Sequence, residues 1–60
     1  MSYYKLGDRV RLIKVSPDNK EIKVGDEGTI VNRLSAHLYR IELDNGSSLD
    51  LKARKFEKVS

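Results

Sequence analysis

The stretch Leu38-Tyr39-Arg40-Ile41-Glu42-Leu43-Asp44-Asn45-Gly46 constrains the fold of this chain more than any other. On an extended backbone Tyr39, Ile41 and Leu43 share one face while Arg40 and Glu42 share the other, the two-residue period of a half-buried strand. Asn45 and Gly46 then accept the positive φ that a tight primed turn needs, so the strand is expected to end in a hairpin. Ser48-Leu49-Asp50-Leu51 resumes the alternation on the way back.

The rest of the pattern is consistent with that start. Gly7-Asp8 opens Arg9-Val10-Arg11-Leu12, which places Val10 and Leu12 inward. The alternation slips at Leu12-Ile13, and a bulge there is expected to return Ile13 or Val15 to the core. Ser16-Pro17-Asp18-Asn19 is dense in turn formers and begins a loop running to about Val24. Gly25 and Gly28 bracket a corner, and Gly28-Thr29-Ile30-Val31 follows as a strand with Ile30 inward. Lys52-Ala53-Arg54-Lys55 lacks alternation and reads as one helical turn, after which Phe56-Glu57-Lys58-Val59 closes as a fifth strand. Val31, Leu34, Leu38 and Ile41 also fit a helical stripe, but the run from Tyr39 to Leu43 and the Asn-Gly turn favour strands. The expectation is an all-β, small, closed or half-open five-stranded barrel with one helical turn before the last strand. Closure suits a short chain because it removes exposed sheet edges.

Sixty residues make a single domain, 1–60, with the barrel over about residues 6–59. Without cysteine there is neither a disulfide framework nor a thiolate metal site. No run approaches the ~20 apolar residues of a membrane span, and Met1-Ser2-Tyr3-Tyr4-Lys5 has no signal-peptide core. A soluble, cytoplasmic protein is expected, with no membrane partner. Twelve Lys and Arg against nine Asp and Glu give a net charge of +3. That excess favours nucleic acid or acidic protein surfaces as partners.

Gly7-Asp8-Arg9-Val10-Arg11-Leu12 followed by Gly25-Asp26-Glu27-Gly28-Thr29-Ile30-Val31 resembles SH3-like barrels of the KOW type. The ending, Asp44-Asn45-Gly46 through Leu49 and Leu51 to Phe56-Glu57, is similar to small uncharacterised SH3-like proteins of bacteria and their phages. The resemblance implies a five-stranded SH3-like barrel that acts by binding RNA, DNA or a partner protein. The chain departs from the KOW pattern in its longer first loop, and in Asp26 and Glu27 where RNA-contacting relatives often carry lysine.

The glycine corner is structural. Two acidic residues between Gly25 and Gly28 repel phosphate, whereas glycines in such a place supply turn geometry and close backbone approach. Arg9 and Arg11 face outward together, with Lys14 extending the face, and the arginine fork suits phosphate. The simpler alternative pairs them with Glu42 or another acid across the sheet. A second basic cluster comprises Lys52, Arg54, Lys55 and Lys58. On a helical turn its side chains are expected to radiate, with solubility as the plainer role. Tyr39 and Phe56 point inward, and one of Tyr3 and Tyr4 covers the open end of the barrel.

Chemistry beyond binding has little footing. His37, the only histidine, falls in a turn with no partner set by a recognisable motif. No metal site, cofactor fingerprint or small-molecule substrate is evident. The sequence therefore points to a non-enzymatic binding module that contacts nucleic acid or a nucleic-acid-handling complex. Its candidate contacts are Arg9, Arg11, Lys14, Lys52, Arg54, Lys55 and Lys58. The alternative is a protein-docking module, such as a phage-type modulator of a host enzyme, using the 16–24 and 32–38 loops.

Overall fold

The computed structural model describes residues 4–18 and 20–59. Alternating apolar residues produce five strands: β1 Arg9–Leu12, β2 Glu27–Arg33, β3 Leu38–Leu43, β4 Ser48–Lys52 and β5 Phe56–Lys58. A 3₁₀ turn at Ala53–Lys55 precedes β5, where the sequence predicts a helical turn. All pairings are antiparallel within one sheet ordered β4-β3-β2-β1-β5. β4 and β5 are the outer strands of that order, and the 3₁₀ turn carries the chain from one to the other.

The inward face is the one the alternation marks. Val10, Leu12, Ile30, Tyr39, Ile41, Leu43 and Phe56 are buried together. Tyr4 closes one side of this cluster, its ring 5.5 Å from that of Tyr39 and 4.8 Å from that of Phe56. It takes the covering role expected of one N-terminal tyrosine, while Tyr3 lies outside the described residues. Ile22, from the long loop, is also buried, which the loop's turn-rich composition does not announce. At the β1 slip, Val15 packs partly against the core and Ile13 stays exposed. β2 extends beyond Val31 because its register with β3 shifts between Ile30 and Asn32. The shift leaves Val31 exposed, so the helical stripe that begins there has no common face.

The β3–β4 turn differs from the primed form expected. No non-glycine residue among those described has positive φ, and Gly46 alone in this turn does, at +94°. Gly46 N donates to Leu43 O at 2.9 Å and Leu43 N to Ser47 O at 2.7 Å. This is a three-residue connection ending in a glycine bulge, which needs only one residue of positive φ. Asn45 contributes instead through its side chain, whose Oδ1 accepts from Ser47 N at 2.8 Å.

The two ends of the β1–β2 ladder carry the same device. Lys5-Leu6-Gly7-Asp8 and Lys23-Val24-Gly25-Asp26 each form a four-residue turn with glycine third, at φ +94° and +98°. In each, the aspartate side chain accepts from the lysine backbone N–H, at 2.9 and 3.0 Å. Gly7 N and Asp8 O bond to Ile30 O and N just as Gly25 N and Asp26 O bond to Leu12 O and N. A shift of eighteen carries Gly7, Asp8 and Leu12 onto Gly25, Asp26 and Ile30, so β1 and β2 are related by a local two-fold axis. Near that axis Gly28 pairs with both Val10 and Leu43. A Cβ there would meet Glu42 O at 2.6 Å and Leu43 Cα at 2.9 Å. The glycine corner thus serves turn geometry at Gly25 and close backbone approach at Gly28.

Candidate nucleic-acid interface

Strand alternation sends Arg9 and Arg11 to the outer face of β1, where both are exposed as predicted. The strands on either side send carboxylates to the same face. Arg9 grips Asp44 with two hydrogen bonds, Nη1 to Oδ1 at 2.8 Å and Nη2 to Oδ2 at 2.6 Å, and also donates to Thr29 Oγ1 at 3.0 Å. Glu27 stands between the two arginines, 3.6 Å from Arg9 and 3.4 Å from Arg11. Arg11 reaches Glu57 on β5 at 3.6 Å. The result is an alternating chain Asp44–Arg9–Glu27–Arg11–Glu57, with two guanidiniums against three carboxylates. The Arg9 bonds hold the Asp44 carboxyl below the usual carboxylate range and raise the guanidinium's own affinity for its proton. Lys58 lies 3.8 Å from Asp8. Arg40 on β3 pairs with Asp50 on β4 in the same cross-strand fashion, at 2.9 Å.

The other predicted cations sit around the 3₁₀ turn, without ion pairs to any described residue. These are Lys14, Lys52, Arg54 and Lys55. Lys55 O accepts from Ile13 N at 2.9 Å and Lys14 N at 3.2 Å, which brings the chain after β1 against the turn. Ala53 N donates to His37 O at 2.9 Å and Lys52 stands opposite Leu38, which docks the β2–β3 turn on the other side. Lys52 and Arg54 line one open concavity of about 550 Å³ with Ser35, His37, Leu38 and Ala53. The turn therefore does not scatter all its cations.

The seven predicted contacts are thus divided. Arg9, Arg11 and Lys58 are engaged with acids, whereas Lys14, Lys52, Arg54 and Lys55 are not. Ser35, Leu38 and Ala53 enter the concavity only through the β3–β4 register, which no local motif encodes. Comparison of the chain with protein-family models, with curated proteins and with solved structures gives no match.

Proposed function

We propose that this protein is a non-enzymatic binding module that contacts nucleic acid, alone or within a nucleic-acid-handling complex, through the basic end formed around the 3₁₀ turn. The observation that carries this reading is that Lys14, Lys52, Arg54 and Lys55, none with an ion pair to a described residue, are brought together around one 3₁₀ turn. Phosphate binding needs clustered cations able to displace counterions, and a cation already held by a carboxylate gains less from a phosphate. The sequence resemblance to KOW-type barrels supports the same reading. Arg9 and Arg11 tie strands together in it and make at most secondary contacts.

The test is an amide-resolved NMR titration with short single- and double-stranded DNA and RNA at low and physiological salt. The expected result is shifts gathered at Lys14 and Lys52–Lys55 that shrink as salt rises. No shift with any nucleic acid at low salt overturns the proposal.

A second reading, docking to a protein partner through the 34–37 turn, the part of the expected 32–38 loop that lies between β2 and β3, is favoured by one observation. Leu34 is exposed beside half-buried Leu38, which offers the apolar anchor such contacts centre on.

A further inference from the structure

Three concavities on the described surface contrast in charge. One, at the β3–β4 turn, is lined by Asp26, Glu27 and Asp44 with Leu43 and Asn45. Its carboxylates exclude a phosphate. A second, in the long loop, sets Asp18 and Glu21 against Lys20. The third, between the β2–β3 turn and the 3₁₀ turn, has two cations and no acid in its lining.

The third concavity joins that charge to a second kind of group. His37 presents an imidazole, and half-buried Leu38 and Ala53 give an apolar floor. A base stacks on an aromatic ring or an apolar surface, while its phosphates need cations. The concavity is open to solvent and its volume of about 550 Å³, the same as that of the long-loop concavity, leaves room for one base. The walls are held in place. Leu34 N and Ser35 N both donate to Leu38 O, at 2.8 and 3.2 Å, and Ala53 N ties the 3₁₀ turn to His37 O. The backbone of the walls then needs little ordering on binding, which leaves the Lys52 and Arg54 side chains as the groups to be fixed.

We infer, on the footing of the nucleic-acid reading above, that this concavity takes one unpaired nucleotide of a single strand. The base rests against His37 and Leu38, Lys52 and Arg54 hold the flanking phosphates, and the Ser35 hydroxyl meets the base edge. Duplex is disfavoured because its bases are stacked and paired, and extracting one costs a few kcal/mol.

The experiment compares fluorescein-labelled octathymidylate, octauridylate, an abasic strand with the same number of phosphates, and a short duplex, by anisotropy at low salt. Wild-type protein is expected to bind at least one of the base-bearing strands about fivefold or more tighter than the abasic strand, the lower end of one stacking contact. His37→Ala should reduce that difference, with an otherwise superimposable amide spectrum, and an undiminished difference overturns the nucleotide site. Equal binding of base-bearing and abasic strands overturns the nucleotide site but leaves the phosphate reading standing, and so does tighter binding of duplex. No binding of any of the four overturns both.

Discussion

Arg9 holds Asp44 with both ends of its guanidinium, at 2.8 and 2.6 Å, and so joins β1 to the residue after β3 across thirty-five positions of sequence. Two parallel charged bonds fix the planes of both groups, which a single contact does not. With Glu27 between the arginines, the outer face becomes a cross-strand strap rather than a field of open cations. The ion pairs lie on the sheet, whereas Lys14, Lys52, Arg54 and Lys55 around the 3₁₀ turn have none to a described residue, and neither have Lys5, Lys20 and Lys23 elsewhere.

Stability should respond to acid through Asp44. Its proton affinity is lowered in the folded protein, chiefly by the Arg9 hydrogen bonds. As pH falls, the unfolded chain therefore takes up that proton before the folded one does. The contribution is complete above about pH 4, the ordinary Asp range, and is lost as pH falls through the lower folded value. Urea midpoints of wild type and Asp44→Asn should differ most at neutral pH and converge toward pH 2. Because the pair is exposed, the neutral-pH difference in thermal midpoint should not exceed about 8 °C. A gap that widens on acidification contradicts this assignment.

The glycines should rank by mechanism. Gly7→Ala and Gly25→Ala force an L residue to positive φ in matching turns with open space around them. Each should cost about 1 to 2 kcal/mol, and the two costs should be alike. Gly28→Ala instead drives a methyl into the backbone of β3. Backbone in a paired strand cannot step aside, so its loss should reach the upper end of overpacking, about 3 kcal/mol or more. Urea unfolding of the three variants gives the order directly. A Gly28→Ala loss no larger than the other two would show that β3 yields.

How much of this was readable beforehand depends on distance along the chain. β3 was legible because alternation over Tyr39–Leu43 records a buried face locally, and Phe56 and Ile30 were placed inward by the same logic. The hairpin's position was legible and its turn type was not. Asn45 was expected to take positive φ but its side chain bonds Ser47 instead. The partners of Arg9 and Arg11 were hidden because Glu27, Asp44 and Glu57 arrive from other strands, and register decides which acid meets which base. Ile22 is not legible because the loop offers Ile22 and Val24 alike, and only the fold buries the first and exposes the second. The repeat of Lys-aliphatic-Gly-Asp at residues 5 and 23 was present in the sequence and gains its meaning only from the two-fold ladder.

The aromatic cluster should dominate stability. Tyr39 and Phe56 are almost fully buried, with ring centres 5.8 Å apart and nearly perpendicular. Removing a buried phenyl group costs about 3–5 kcal/mol. A domain of this size has roughly 3–9 kcal/mol in total. Phe56→Ala should therefore lose at least about a third of the domain's stability and as much as all of it, with a sharply lowered urea midpoint. Tyr4→Ala, which loses a half-buried lid, should lower the midpoint less. A Phe56→Ala loss no larger than that of Tyr4→Ala would mean that the core closes over the gap.

Salt dependence separates the two groups of cations. For single strands, log K falls with log salt by about 0.7 for each phosphate neutralised. If Lys14, Lys52, Arg54 and Lys55 each hold one phosphate, the slope should be near about −3. Lys52→Ala with Arg54→Ala should bring it to about −1.4. Arg9→Ala with Arg11→Ala should leave it nearly unchanged, because those guanidiniums already face Asp44, Glu27 and Glu57. Anisotropy titrations of octathymidylate at four or five salt concentrations, on all three proteins, measure the slopes. A slope lowered by the Arg9 and Arg11 changes, and not by those at Lys52 and Arg54, would move the contact face to the outer sheet. The ion-pair chain there would then have to open on binding, and Glu27→Gln should raise affinity by freeing the two arginines it bridges.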